Sequence, residues 1–191
     1  MRDHRCGFAF TAGSVLLLLS TSALAAGKLK LQSSDVKPNG TLPDKQVFDG
    51  MGCKGENTSP QLSWSNPPEG TKSYALTVYD PDAPTGSGWW HWVVYNIPAD
   101  TTELGAGAGS GKAKLPAGTV EGRTDFGKAG YGGACPPPGD KPHHYIFTLY
   151  ALKVDKLEVP PDATAAMIGY MTKSNALGSA TFTAKYARPK E

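Results

Sequence analysis

Three segments of this chain are apolar on both parities, and a fold that accommodates them must cover a sheet on both faces. They are Ser73 to Tyr79, Trp90 to Ile97 and Tyr145 to Leu152. Successive side chains of a strand point to opposite faces, so a strand with one wet face alternates apolar and polar residues. Here Val93, Tyr95 and Ile97 are expected on one face, with Trp92 and Val94 on the other. Each segment is therefore predicted to be a central strand with packing above and below it. That argues for packed sheets, or for a sheet flanked by loops and helix, rather than an open meander. Shorter strands are predicted at Gln61 to Trp64 and Thr181 to Tyr186. Clusters such as Asn66-Pro67-Pro68-Glu69-Gly70 punctuate the pattern as turns.

One helix is visible. Asp162 is the expected cap after Pro160-Pro161, and Gly178 the expected stop. Ala163, Ala166, Met167, Tyr170 and Met171 fall at helical spacing, so a Met and Tyr stripe is expected to pack on the core. The run Gly105 to Lys112 is not a phosphate loop, because alanines stand at 106 and 113 where glycine and Ser or Thr are needed. It reads as a flexible surface loop. No internal repeat and no second-domain boundary is present.

The N-terminus limits where this fold forms. Arg2 and Arg5 precede an apolar stretch from Gly13 to Ala25, which ends in Ala23-Leu24-Ala25. That is a basic region, a core too short for a stable membrane anchor and a small-x-small cleavage site. The expected organisation is an export signal over 1–25, a partly ordered lead-in over 26–43 and one mainly β domain over 44–191. Removing 25 of the 191 residues leaves 166, ample for one core. It also takes away two arginines and an aspartate, lowering the formal net charge from +2 to +1. So neutral a surface gives no argument for nucleic acid or an anionic membrane. The mature protein is expected in the periplasm or secreted, with no membrane span. Cys6 would leave with the signal, and Cys53 and Cys135 would remain as the single pair available for a disulfide. The other possibility is two buried thiols.

Three places carry candidate chemistry. Asp80-Pro81-Asp82-Ala83-Pro84 presents two carboxylates in a rigid frame, although an ordinary Asp-Pro turn would use them only on nearby N–H groups. His91 lies in the aromatic run Trp89-Trp90-His91-Trp92, where a buried imidazole needs either a structural partner or a ligand. Gly130 to Gly139 leads into His143-His144-Tyr145, and strand alternation would turn His143 and Tyr145 to one face and His144 to the other. Glycine N–H groups, an imidazole and a phenol together suggest an anion cradle.

These blocks, with Trp89-x-His91 leading into Val93-Val94-Tyr95-Asn96 and with Gly55 to Trp64 upstream, resemble the phosphatidylethanolamine-binding protein family, and within it the bacterial Raf-kinase-inhibitor-like branch. The resemblance covers about residues 44 to 187. It implies antiparallel β-sheets packed as a sandwich, a few peripheral helices and a small pocket for phosphate-like head groups. By position, the ligand-binding residues would be Asp80, Asp82, His91, His143 and Tyr145, with Gly132, Gly133 and Pro136 on the rim. His91 and His143 would donate to the anion, and the two aspartates would orient imidazoles or meet an amine. It also sets Cys53 and Cys135 beside the pocket. Alanine at His91 or His143 is expected to abolish anion binding at little cost in stability.

The function this implies is an exported, non-catalytic binding protein for a small anionic or phosphorylated ligand, acting alone or by modulating a partner protein. No cofactor is expected. Neither a Gly-x-Ser-x-Gly elbow nor a His-Glu-x-x-His pair occurs. Two other readings stay open. One is a hydrolase using Asp80 and Asp82 with His91 or His143. The other is an inhibitor acting through the loop from Pro98 to Gly127, which carries Lys112, Lys114 and Arg123.

Overall fold

The computed structural model describes Met1 and residues 27–190. The export signal expected over 1–25 lies, Met1 apart, outside the described residues. Among these the strands are β1 Lys30–Gln32, β2 Asp49–Gly50, β3 Cys53–Lys54, β4 Leu62–Ser65, β5 Ser73–Asp80, β6 Trp89–Pro98, β7 Glu103–Leu104, β8 Val120–Glu121, β9 His143–Leu152 and β10 Ala176–Tyr186. The helix α1, Ala165–Asn175, precedes the last strand.

The three segments apolar on both parities are β5, β6 and β9, and they occupy the middle of a five-stranded antiparallel sheet ordered β10-β9-β5-β6-β8. A three-stranded sheet, β1-β4-β7, covers one face. Leu76, Trp92, Phe147 and Leu149 meet Leu31, Leu62 and Trp64 there. On the other face Ala75, Val93, Tyr95 and Leu152 meet Leu157 and Ile168 of α1. The architecture is mainly β, two packed sheets with a peripheral helix, as expected. Each large apolar side chain removed from water here stabilises the fold by roughly 1.5–3 kcal/mol.

Several local expectations are corrected. Ile97 packs with Trp92 and Val94, not with Val93 and Tyr95. Asn96 takes a left-handed φ of 57°. A register shift there sets Tyr74 opposite Ile97 but Leu76 opposite Val94. The extra residue flips the side of everything beyond it. The Asn96 side chain accepts from the Leu157 N–H at 2.7 Å, which ties this bulge to the loop before α1.

On α1 the buried residues are Ala165, Ile168, Gly169 and Thr172, whereas Met167 and Tyr170 are exposed. A Cβ on Gly169 would lie 3.3 Å from the Trp90 ring, so small residues let the helix settle on a bulky sheet. Thr164 rather than Asp162 caps the helix, accepting from the Met167 N–H at 3.2 Å. Gly178 lies within β10 at a register shift opposite Ala151 and does not end the helix.

Residues expected as a partly ordered lead-in join the core, since β1 pairs with β4 and Leu29, Leu31, Val36 and Leu42 are buried. The Gly-rich run is likewise no surface loop at its centre. Ala108 and Gly109 are buried, and a Cβ on Gly109 would meet the Trp92 ring at 2.3 Å. The stretch from Pro98 to Gly127 contributes β7 and β8 to the two sheets, and Lys112 reaches back to the Glu56 carbonyl and the Thr58 hydroxyl, each at 2.7 Å.

Candidate functional site: a small cavity at the strand ends

Antiparallel pairing brings the end of β5 and the starts of β6 and β9 to one edge of the large sheet, because Asp80 pairs with Trp89 and Tyr79 with Ile146. A cavity of about 160 Å³ opens there, lined in part by Asp80, His91, His143, Tyr145 and Pro136. Its volume is well below the 300 Å³ or more of drug-sized pockets and suits a head group. Met51, Trp89 and Phe126 complete much of the wall, which is apolar apart from these few polar groups.

Strand alternation works at β9 as expected. His143 and Tyr145 are buried and turned to the cavity, while His144 faces outward. Asp80, itself buried, accepts from His143 Nδ1 at 2.7 Å through one carboxylate oxygen and from the Asp82 N–H at 2.8 Å through the other. His143 Nε2 lies 3.6 Å from the Asp140 carboxylate, so the ring is bracketed by two acids.

Asp82 does not join them. Its carboxylate takes both the backbone N–H and Nδ1 of His144, each at 2.7 Å, on the outer side. Slight burial pushes its acidity one way, but these bonds from His144 outweigh it and hold the Asp82 carboxyl below the usual range. The expected Asp80–Asp82 pair on one pocket is therefore split between two histidines, and a hydrolase that needs both carboxylates on one substrate loses its arrangement.

The glycines are also corrected. The N–H of Gly132 donates to the His91 carbonyl at 2.8 Å, and that of Gly133 donates to the Asn57 side chain at 2.7 Å. Neither is left to cradle an anion. Both glycines are required by close approach, since a Cβ would meet Phe126 at 2.2 Å from Gly132 and the Gln46 carbonyl at 2.4 Å from Gly133. They shape the wall from behind.

His91 is held by this backing. Its Nδ1 lies 2.7 Å from the Gly132 carbonyl, which can only accept, so Nδ1 carries the proton. The ring stands edge-on to Phe126 and Tyr145, with centroids 5.4 and 5.1 Å away. Burial lowers its pKa from the ordinary 6.5, against the opposing pull of the Gly132 carbonyl and the Asp80 charge. The neutral ring then offers Nε2 as an acceptor, not as the donor expected from sequence. Burial, reinforced by Asp80, pushes the Tyr145 phenol far up, so it keeps its proton. Its hydroxyl is buried with no hydrogen-bond partner, and the Trp89 indole N–H is in the same condition.

Cys53 and Cys135 are joined, with Cα atoms 5.9 Å apart. The bond ties the β2–β3 hairpin, whose Met51 reaches the cavity, to Cys135 and Pro136, which also line it. Met51, Phe126 and Asp140 went unnoticed in sequence. Each lies in an irregular segment between the regular strands, where no periodicity marks a position. Among the described residues no group of three or more His, Cys, Asp or Glu side chains is arranged to hold a metal ion.

Comparison with known proteins finds relatives over most of the chain. A family model described as phosphatidylethanolamine-binding protein matches residues 32–187. The protein YbcL of Escherichia coli K12 is 53% identical over 174 residues, covering 91% of this chain and 94% of that protein. A putative lipoprotein, LppC of Mycobacterium tuberculosis, is 37% identical over 162 residues, covering 84% of this chain and 73% of its own length. The crystal structure of E. coli YbcL, described as a new member of the mammalian PEBP family, superposes with a TM-score of 0.81 at 54% identity. It covers 84% of this chain and 99% of that one.

Proposed function

This chain belongs to the phosphatidylethanolamine-binding protein family, and from that premise we propose that it is an exported, non-catalytic binding protein whose strand-end cavity takes a small anionic or phosphorylated group of phospholipid head-group size. One observation carries the reading. Tyr145 holds a protonated, buried hydroxyl with no partner in the wall of a cavity otherwise shaped by His91 and His143. An unsatisfied buried donor costs about 1–3 kcal/mol, which a ligand oxygen placed there would recover. The binding reading needs no nucleophile, and the one cysteine lining the cavity is committed to a disulfide. Export is supported by that disulfide, which persists in oxidising compartments, and by a relative named as a lipoprotein. Occupancy of the cavity is the natural means by which such a protein would modulate a partner.

Protein-observed NMR titration of the mature chain with phosphoethanolamine and then inorganic phosphate tests the proposal. Saturable shifts clustered at His91, His143 and Tyr145 are expected. Shifts elsewhere, or none, would remove the anion-pocket reading, and turnover of the phosphoethanolamine would replace it with an enzyme.

A further inference from the structure

We propose that the cavity selects a phosphate group still carrying a proton, as a phosphomonoester monoanion does, over the phosphodiester of an intact phospholipid. The inference rests on the anion-pocket reading and specifies its ligand.

Hydrogen-bond polarity carries the argument. His91 spends its Nδ1 proton on the Gly132 carbonyl at 2.7 Å, so the nitrogen available to a ligand is the acceptor Nε2. A phosphate dianion or a diester has acceptors only and would set lone pair against lone pair. A monoanionic monoester has one P–OH to donate to Nε2, while its other oxygens accept from the unpartnered Tyr145 hydroxyl.

Charge points the same way. No lysine or arginine lines the cavity, and the Asp80 carboxylate does. A second ligand charge would therefore add repulsion from the Asp80 carboxylate, hydrogen-bonded to His143 and the Asp82 N–H, with no lysine or arginine in the lining to offset it.

The titratable groups facing His91 are Asp80 on β5, Tyr145 on β9 and Asp125 in the loop after β8. Burial keeps the ring neutral against both acids. His143, between Asp80 and Asp140, meets every anion alike, so it does not by itself separate ligands of equal charge.

The test uses the unaltered mature protein and calorimetric titration with methyl phosphate, methyl sulfate and glycerophosphoethanolamine. At pH 6 methyl sulfate matches the size and single charge of the methyl phosphate monoanion but has no proton to give. Methyl phosphate is expected to bind at least about ten-fold tighter, the effect of one well-made charged hydrogen bond. By pH 8 it should weaken roughly fifty-fold, following the monoanion fraction for a second pKa of about 6. Methyl sulfate or glycerophosphoethanolamine binding within two-fold of methyl phosphate at pH 6 would overturn the inference, as would an affinity for methyl phosphate that does not change with pH. No binding of methyl phosphate at either pH would overturn the anion-pocket reading itself. A monoester can be free or lipid-borne, so dihexanoyl phosphatidic acid is the lipid arm. Affinity equal to that of methyl phosphate supports a monoester of lipid origin, and weaker binding supports a soluble one.

Discussion

Asp80 and His143 form a buried pair across the mouth of the large sheet, the carboxylate accepting from Nδ1 at 2.7 Å with each side chain only 4% exposed. This overturns the expectation that His143 could be replaced at little cost in stability. Removing one member takes away the short buried bond and leaves the other with only its second partner, Asp80 with the Asp82 N–H or His143 with Asp140, at a cost of up to about 3–5 kcal/mol. For a domain of this size that lowers Tm by roughly 6–20 °C. Both Asp80→Ala and His143→Ala should show it by differential scanning calorimetry. The outer Asp82–His144 pair, at 41% and 44% exposure, is the contrast. His144→Ala should cost no more than about 1 kcal/mol and leave phosphate affinity within two-fold. A large loss there would mean that the outer histidine, not the inner one, serves the site.

His91 predicts an acid-sensitive stability. Its folded pKa is lowered by burial, so the unfolded chain binds its proton first as pH falls. The stabilising contribution is whole above the unfolded value of about 6.5 and is lost as pH drops below it, by up to about 1.4 kcal/mol per pH unit. Urea midpoints measured from pH 7.5 to 5.5 should fall in the parent protein. The slope should flatten in His91→Gln, which cannot titrate but can still donate to the Gly132 carbonyl. An unchanged slope in the variant would assign the acid sensitivity to another group.

The Cys53–Cys135 bond spans 82 residues and fastens the hairpin that carries Met51 to the segment that carries Pro136, both of which line the cavity. On the chain-entropy model it stabilises by about 4–5 kcal/mol. Reduction, or the paired change Cys53→Ala and Cys135→Ala, should lower Tm by roughly 8–20 °C. Because the segments of Met51 and Pro136 then lose their covalent tie and keep the Arg188 bonds to the Gly52 and Pro136 carbonyls, phosphate affinity should fall as well, measured at a temperature where the reduced protein is still folded. Unaltered affinity in a folded, reduced protein would confine the bond to global stability.

Strand periodicity made much of this legible. The two-sided apolar patterns of β5, β6 and β9 placed them inside a sheet, and the in-out-in sequence His143-His144-Tyr145 sorted the two histidines correctly. Cys53 and Cys135, the pair expected to remain after export, are the two that the disulfide joins. What escaped depends on contacts distant in sequence. Nothing local to Asn96 announces the left-handed residue that reverses Ile97. Nothing near Gly132 and Gly133 shows that their N–H groups are consumed by His91 and Asn57. The polarity of the His91 ring follows from another such distant bond, from its Nδ1 to the Gly132 carbonyl. The α1 stripe misled because size stood in for burial, whereas a bulky Trp90 opposite called for glycine and alanine.

Gly132 offers the sharpest test of how the wall is built. It needs no special backbone angle, so alanine there acts through space alone. Its Cβ would fall 2.2 Å from the edge of the Phe126 ring, a distance that no packing tolerates. Phe126 is wedged against Phe48, Trp89 and His91, so the ring can yield only by moving relative to the cavity it lines. Gly132→Ala should cost about 1–3 kcal/mol from overpacking. It should also weaken phosphate binding, with NMR shifts spreading to His91 before any ligand is added. Gly105→Ala, where a Cβ meets nothing within 4 Å, is the matched control and should leave affinity unaltered. If Gly132→Ala binds phosphate as the parent does, the Phe126 wall does not define the ligand's space, which would then be set by the other lining residues, Met51, Trp89 and Pro136 among them.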